Sequence, residues 1–186
     1  MEERAVYEAV RAVGERGAGS LARARLLVLD VDGVLTDGRI VYAGELEISS
    51  FHVRDGAALA WLRGGPVRVA WISGRGCEAT ERRARELDVS ELHLHVREKG
   101  PCLEALQARL GVSRDETVAM GDDLADLSLA VRAGFFAAPA DACAAVRERA
   151  DLVTRARGGQ GAVRELVELL LTAQGRWRAI LDAAAR

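Results

Sequence analysis

The sequence predicts an α/β fold in which a doubly wound, Rossmann-like parallel sheet is flanked by helices. Apolar runs of strand length alternate along most of the chain with longer segments of helical periodicity. Three of these runs, Leu26–Leu29, Val67–Ile72 and Thr117–Met120, are mainly apolar, which is typical of strands buried on both faces of a parallel sheet. Because 186 residues suffice for one core, we expect residues 1–186 to form a single domain.

The composition argues against several classes of protein. A formal charge of −2 and a pI near 6.0 provide no basic face for nucleic acid. No segment approaches the ~20 consecutive apolar residues of a membrane span, and the charged start of the chain lacks the apolar region of a signal peptide. We therefore expect a cytoplasmic protein without a membrane partner. Cys77, Cys102 and Cys143 form no C-x-x-C pair, which indicates reduced thiols and no zinc site.

The N-terminal segment, residues 1–20, is predicted to be a helical extension outside the core of the sheet. Valines recur at helical spacing, and glycines that should end the helix follow: Val6, Val10 and Val13, then Gly14, Gly17 and Gly19. Residues 38–52 are predicted to form a β-hairpin, since two short strand patterns flank Ala43-Gly44-Glu45. This hairpin is too short to be a cap domain, and we expect it to serve oligomerisation.

The later helices are placed by the residues at which they should begin. Asp55 and Asp141 are each expected to cap the start of a helix, and another helix is expected to begin at Lys99. Leu152–Val153 predicts an edge strand. Residues 158–186 are predicted to form a C-terminal helical tail, because a strongly apolar helical pattern follows a glycine-rich turn.

Two carboxylates at the end of the first buried strand indicate a site. Asp30 follows that strand directly, and Asp32 and Gly33 come next. A carboxylate there is costly unless a cation lies nearby, and a divalent cation is the natural candidate. Ligands of open α/β sheets also bind beyond the carboxyl ends of the strands. The alternative is that both residues only cap the following loop, because Asp is common in turns.

The string D-V-D-G-V-L-T-D-G, which begins at Asp30, resembles the nucleophile motif of the haloacid dehalogenase superfamily of phosphatases. Two other buried runs lead to Ser73 and Asp122, which should meet Asp30 at one edge of the sheet. Asp30, Asp122 and the backbone carbonyl of Asp32 could supply oxygen ligands to Mg²⁺. Ser73 and Lys99 could hold a phosphate, although each alone would be an ordinary turn or surface residue.

The ordered set of motifs is similar, more narrowly, to the 3-deoxy-D-manno-octulosonate 8-phosphate phosphatase family. These motifs are D-V-D-G-V-L-T-D-G, F-H-V-R-D-G, I-S-G-R, Lys99, M-G-D-D-L-A-D-L and T-R-A-R-G-G-Q-G-A-V-R-E. The resemblance implies that Asp30 is the nucleophile and Asp32 the general acid and base. It implies the following further roles: Ser73, Gly74 and Lys99 bind phosphate; Asp30, Asp32 and Asp122 bind the metal; Asp123 supports the metal; Arg54 and Arg75 contact the substrate or lie on the surface.

The same resemblance implies an activity and an assembly. The activity is Mg²⁺-dependent hydrolysis of a phosphorylated sugar acid in lipopolysaccharide biosynthesis, through an aspartyl phosphate. The expected substrate is 3-deoxy-D-manno-octulosonate 8-phosphate, and a related nine-carbon keto sugar acid phosphate is the alternative. Ser49 stands where the family often has lysine, a difference that concerns the sugar more than the chemistry. The implied assembly is a homotetramer whose hairpins close a central barrel.

Two functions of other classes remain open. A receiver domain of a two-component system has a similar sheet with acidic residues at its strand ends, but gives no reason for Asp32 or for the string G-D-D-L-A-D-L. A non-catalytic module could use the same fold for assembly or regulation, although no catalytic position has been lost in this sequence.

Overall fold

The computed structural model describes residues 8, 10 and 12–185, and its main feature is a six-stranded parallel sheet. The strands are β1 (Leu26–Leu29), β4 (Arg68–Ile72), β5 (Glu91–His93), β6 (Thr117–Met120), β7 (Phe135–Ala138) and β8 (Leu152–Val153). The helices are α1 (Gly14–Arg23), α2 (Val53–Ala60), α3 (Glu78–Glu86), α4 (Lys99–Leu110), α5 (Leu127–Ala130), α6 (Ala144–Arg149), α7 (Ala162–Ala173) and α8 (Trp177–Ala184). Among the described residues, no helix combines the length and the apolarity that crossing a membrane requires.

The order of the strands reverses at β1, which lies in the middle of the sheet. The order is β5-β4-β1-β6-β7-β8, so the chain builds outward from β1 in both directions. All neighbouring strands run parallel. The prediction of a doubly wound parallel sheet is confirmed, and so is the edge position of β8. Ligand sites of such sheets lie where the strand order reverses, which here is beyond the end of β1.

The sheet is buried on both faces because each face packs against its own set of helices. Successive side chains of a strand point to opposite faces. In β1, Leu27 and Leu29 accordingly belong to the core cluster that includes residues of α1, α2 and α7. Leu26 and Val28 belong to the cluster that includes residues of α4, α5 and α6. This two-sided burial explains why the strand is an unbroken apolar run.

The connection from β1 to β4 holds a β-hairpin, formed by β2 (Val41–Ala43) and β3 (Leu46–Ile48). The two strands pair antiparallel and form a sheet of their own. Every residue of this connection is described, and a short hairpin followed by α2 takes the place of a cap domain, as predicted. The hairpin exposes large apolar side chains, among them Tyr42 at 68% and Leu46 at 65% of their surface.

The N-terminal helical pattern breaks at Gly14, as predicted, but Gly17 and Gly19 do not end a helix. Residues 8, 10 and 12 are helical, residue 13 lies in a turn and Gly14 has a φ angle of +72°. A separate helix, α1, then runs to Arg23 and contains both Gly17 and Gly19. Gly17 is buried, and a Cβ atom there would lie 3.2 Å from Cε2 of Phe135, so the glycine lets the helix approach the sheet closely. Leu21 is fully buried in the core, so α1 covers the sheet instead of lying outside it. The predicted start of the helix, with Val6, lies outside the described residues.

The two predicted helix caps are also wrong. Asp55 lies in the first turn of α2, whose N-cap position is held by His52. Asp141 does not cap α6, whose N-cap residue is Cys143. Instead, Asp141 accepts a hydrogen bond from the backbone N–H of Gly158, at 3.0 Å. Both carboxylates bind backbone that is distant in sequence, which local spacing cannot reveal.

Candidate active site

The carboxyl ends of β1, β4 and β6 bring several predicted site residues to one edge of the sheet. Leu29 is the register partner of both Trp71 and Met120, so the residues that follow these strands are neighbours. The backbone N–H of Asp30 continues the ladder and donates to the carbonyl of Met120 at 3.0 Å. Ser73 and Asp122 follow the flanking strands within two residues. The parallel topology therefore assembles the site.

A buried ion cluster lies at the centre of this edge. Lys99 Nζ donates to Asp30 Oδ1 at 2.6 Å and to Asp126 Oδ1 at 2.7 Å. The side chains of all three residues are at most 6% exposed. Burial by itself lowers the pKa of the Lys99 ammonium, but the two carboxylates outweigh this effect and raise its pKa above the ordinary value. Lys99 therefore stays charged and fixes the position of Asp30.

Asp126 is a site residue whose role only its contacts reveal. Its Oδ2 accepts hydrogen bonds from the backbone N–H groups of Asp122 and Asp123, at 3.0 and 3.2 Å, while its Oδ1 binds Lys99. A Cβ atom at Gly121 would overlap the Asp126 side chain, so only glycine fits there. Asp126 thus joins the loop after β6 to the lysine. The signal for it was the third aspartate of the string G-D-D-L-A-D-L.

Three carboxylates of this edge fit a hard divalent cation. One carboxylate oxygen from each of Asp30, Asp122 and Asp126 lies within 4.8 Å of the other two. Asp122 Oδ1 is buried and has no hydrogen-bond partner among the described residues. Burial, with the charge of Asp126, raises the pKa of Asp122 to about 6 and that of Asp30 well above its usual range. An all-oxygen donor set with excess negative charge suits Mg²⁺.

Asp32 turns away from these carboxylates and towards β4. Ser73 Oγ donates to Asp32 Oδ2 at 3.1 Å and accepts from the backbone N–H of Arg75 at 3.0 Å. The Asp32 carboxylate is not part of the cluster of potential metal ligands. Gly74, beside Ser73, is exposed. The structure therefore places a half-buried carboxylate and a hydroxyl side by side at the rim of the site.

Arg75, Asp123 and Arg54 lie outside the buried ion cluster. Arg75 Nη2 is 3.0 Å from both carboxylate oxygens of Glu47 in the hairpin, and this hydrogen bond raises the pKa of Arg75. Asp123 is exposed, and its Oδ1 accepts from the backbone N–H of Leu124 at 2.8 Å, at the start of a short 3-10 helix. Arg54 is exposed in the first turn of α2 and lines a polar cavity of about 340 Å³.

Comparisons with known proteins show the family to which the chain belongs. Residues 78–166 match the family model of haloacid dehalogenase-like hydrolases. The chain is 40% identical to the 3-deoxy-D-manno-octulosonate 8-phosphate phosphatase KdsC of Escherichia coli K12 over 154 residues, which span 82% of this chain and 81% of that protein. The Haemophilus influenzae KdsC is 37% identical over 165 residues, spanning 88% of this chain and 91% of the relative.

Solved structures of such phosphatases share the fold. The Moraxella catarrhalis phosphatase, crystallised with a magnesium ion, a phosphate ion and a KDO molecule, has a TM-score of 0.88 and 34% identity, covering 91% of this chain and 98% of that chain. The cobalt-bound Haemophilus influenzae phosphatase has a TM-score of 0.82 and 37% identity, covering 85% and 93%. The chain therefore belongs to the 3-deoxy-D-manno-octulosonate 8-phosphate phosphatase family of haloacid dehalogenase-like hydrolases.

Proposed function

We propose that this protein is a Mg²⁺-dependent phosphatase that hydrolyses 3-deoxy-D-manno-octulosonate 8-phosphate. The observation that carries the proposal is the buried cluster of Asp30, Lys99 and Asp126 beside Asp122, at the point where the strand order reverses. The choice of substrate is supported by the relatives, which are named as 3-deoxy-D-manno-octulosonate 8-phosphate phosphatases. Membership of their family decides against a receiver domain.

Asp30 is the proposed nucleophile. Its oxygen forms a bond to phosphorus while the bond from phosphorus to the sugar oxygen breaks, which leaves an aspartyl phosphate. Lys99 holds Asp30 Oδ1 at 2.6 Å and thereby limits rotation of the carboxylate. An ammonium has three donors, two of which bind Asp30 and Asp126, so a third can hold a phosphate oxygen together with the backbone at Gly74. Ser73 is also a proposed phosphate contact, and to donate to phosphate it would turn the single hydroxyl proton that it gives to Asp32 in this structure.

Bound Mg²⁺ would supply positive charge that lets a carboxylate approach a phosphate ester. Asp30 and Asp122 would hold it with their carboxylates and Asp32 with its backbone carbonyl. Both oxygens of Asp126 already accept hydrogen bonds, from Lys99 and from the backbone of the loop after β6. We therefore assign Asp126 the task of orienting Lys99 and that loop.

Asp32 is the proposed general acid and base. It gives its proton to the departing sugar oxygen and later takes a proton from the water whose oxygen attacks phosphorus and releases Asp30. The hydrogen bond from Ser73 keeps the Asp32 carboxylate at the rim of the site, where the sugar oxygen would lie. Arg75, held by Glu47, and Arg54 are the proposed contacts of the substrate carboxylate.

The proposed setting is lipopolysaccharide biosynthesis in the cytoplasm. Cys77, Cys102 and Cys143 are all free thiols, which suits a reducing compartment. The family relation supports the setting through the sugar phosphate that the relatives are named for. Phosphate release from a panel of phosphorylated sugar acids tests the substrate: a higher kcat/KM for a nine-carbon keto sugar acid phosphate would contradict the assignment.

The nucleophile assignment predicts the effect of Asp30→Asn. An amide cannot attack phosphorus, so phosphate release from 3-deoxy-D-manno-octulosonate 8-phosphate should fall by on the order of a hundredfold or more. The matched control is Asp37→Asn, because Asp37 is exposed in the same motif and its carboxylate contacts the backbone N–H and the side chain of Arg39. Wild-type turnover by Asp30→Asn would refute the assignment, and an inactive wild-type protein with Mg²⁺ would favour a non-catalytic module.

The acid and base role predicts that Asp32→Asn accumulates phosphoenzyme. Nitrophenolate leaves without a proton, so p-nitrophenyl phosphate should still phosphorylate Asp30, whereas hydrolysis of the adduct needs a base. Intact-protein mass spectrometry should show the phosphorylated chain, and turnover of the sugar phosphate should be lost. Intact sugar phosphate turnover with no trapped adduct would count against the role.

The metal assignment predicts that Asp122→Asn weakens Mg²⁺ binding. Loss of one charged ligand should raise the Kd for MgCl₂ by about tenfold or more in isothermal titration calorimetry. Asp123→Asn is the control, since the exposed Asp123 carboxylate binds the N–H of Leu124. Equal loss of binding in both variants would instead support the predicted role of Asp123. A chelator should remove activity, and added Mg²⁺ should restore it.

A homotetramer formed through the hairpins is the proposed assembly. Two strands alone are marginally stable in water and leave open edges, and this hairpin also exposes Ile40, Tyr42, Leu46 and Ile48. Burying these side chains against other copies would close the edges. The Glu47–Arg75 pair ties the hairpin to the rim of the site, so a neighbouring copy at the hairpin would lie near the substrate.

Light scattering tests the assembly. The expected mass is near four times 20.0 kDa, and Leu46→Lys should lower it because a charge would enter the apolar contact. Val131→Lys is the matched control, since Val131 is an exposed valine outside the hairpin. A clean, active monomer at micromolar concentration would contradict the tetramer.

A further inference from the structure

Asp55 is a buried carboxylate that the proposed chemistry does not use. It lies in α2 and is 1% exposed. Its Oδ1 accepts from the backbone N–H of Arg164 at 2.7 Å, and its Oδ2 accepts from that of Gly161 at 3.2 Å. Gly161 is the N-cap residue of α7 and has no side chain that could cap the helix. The start of α7 is therefore capped by a carboxylate from a different helix.

The segment before α7, residues Gly158–Gly161, packs against the turn that carries Asp32; we term it the glycine loop. The N–H of Gly159 donates to the carbonyl of Val34 at 2.9 Å. A Cβ atom at Gly158 would overlap the carbonyl of Gly33. Backbone therefore meets backbone here, with no side chain between the loop and the turn.

The turn after β1 is confined on its other side as well. Gly33 has a φ angle of +91°, and a Cβ atom there would overlap the carboxylate of Asp122. The turn is thus packed between Asp122 and the glycine loop. Closely packed structure transmits small displacements, so a shift of the loop would move Gly33 and the neighbouring Asp32.

A carboxylate at position 55 has a cost and a specific use. Burial raises the pKa of Asp55 above its usual value, which means that the charged form is costly to bury. Asn is about as good a capping residue as Asp. It offers one acceptor oxygen, however, and its NH₂ group would face the second backbone N–H. The carboxylate is suited to holding both N–H groups at once.

We propose that Asp55 is a positioning residue for Asp32, and that it acts by holding the glycine loop against the turn after β1. The inference rests on the proposed function, because it presumes that Asp32 is the general acid and base. Asp141 holds the loop at Gly158, and Asp55 holds it at Gly161. The Asp55 carboxylate contacts Gly161, Arg164 and His52, none of which is a reacting group or a proposed metal ligand.

Rapid-mixing kinetics of Asp55→Asn tests this role. With p-nitrophenyl phosphate, the burst of nitrophenolate reports attack by Asp30, which needs no proton from Asp32. Steady-state phosphate release and turnover of the sugar phosphate both need Asp32. A displaced Asp32 should lower these two rates by about tenfold or more and leave the burst rate constant within about threefold of wild type. A purely structural role would reduce the burst amplitude, which measures the active fraction, and would lower the two steady-state rates only in the same proportion.

The matched control is Asp151→Asn. Like Asp55, Asp151 has no role in the proposed reaction, and its carboxylate accepts a hydrogen bond from the backbone N–H of Phe136 at 2.8 Å. This contact lies in the sheet away from the glycine loop, so all three rates should stay at wild-type values. If Asp55→Asn yields no folded protein, Asp55→Glu replaces it, because it keeps the charge but displaces the carboxylate oxygens. Asp55→Glu should lower the two steady-state rates by a smaller factor and leave the burst rate constant unchanged.

The outcomes separate this inference from the proposed function. Suppose that Asp32→Asn shows the burst and the trapped adduct, as the proposed function requires. The inference is then overturned if Asp55→Asn keeps wild-type rate constants, or if its burst and steady-state rate constants fall by the same factor. If Asp32→Asn behaves as wild type, the acid and base assignment fails and the role of Asp55 fails with it. If Asp32→Asn and Asp55→Asn both show a normal burst and a slowed steady-state rate, the result supports the acid and base role of Asp32 and the positioning role of Asp55.

Discussion

The contact of Lys99 with Asp30 and Asp126 is the interaction on which the site depends. Three carboxylates, with Asp122 as the third, meet at a buried edge where desolvation and mutual repulsion both disfavour their charged forms. One ammonium within 2.7 Å of two of them offsets part of this cost. Removing one partner of such a buried pair typically costs about 3–5 kcal/mol, because a charge remains without compensation.

The position of Lys99 is better explained by these carboxylates than by its helix. It is the first residue of α4, where a positive charge opposes the helix dipole and loses roughly 0.3–1 kcal/mol. Two charge-assisted hydrogen bonds in a buried site outweigh that loss. The parallel sheet makes this possible, since it delivers Asp30 from the central strand and the loop of Asp126 from the neighbouring strand to the same edge.

Close backbone approach is the second constraint on the site. Gly33, Gly121 and Gly158 each lie where a Cβ atom would overlap a neighbouring residue, and two of those neighbours are the carboxylates of Asp122 and Asp126. The loops after β1 and β6 and the glycine loop therefore pack as one unit. The acidic groups keep their places through this packing as well as through hydrogen bonds.

The sequence by itself determined the parallel sheet, the hairpin and the strand-end positions of Asp30, Ser73 and Asp122, because apolar periodicity and turn composition are local signals. Only the tertiary structure decided what depends on distant partners. Asp126 and Lys99 are 27 positions apart, and Asp55 and Arg164 are 109 apart, so spacing could not show that one aspartate orients the lysine or that the other caps α7. Gly17 was misread for the same reason: its role is to admit Phe135 of a strand far along the chain, and a helix held by tertiary packing tolerates a residue that locally disfavours it.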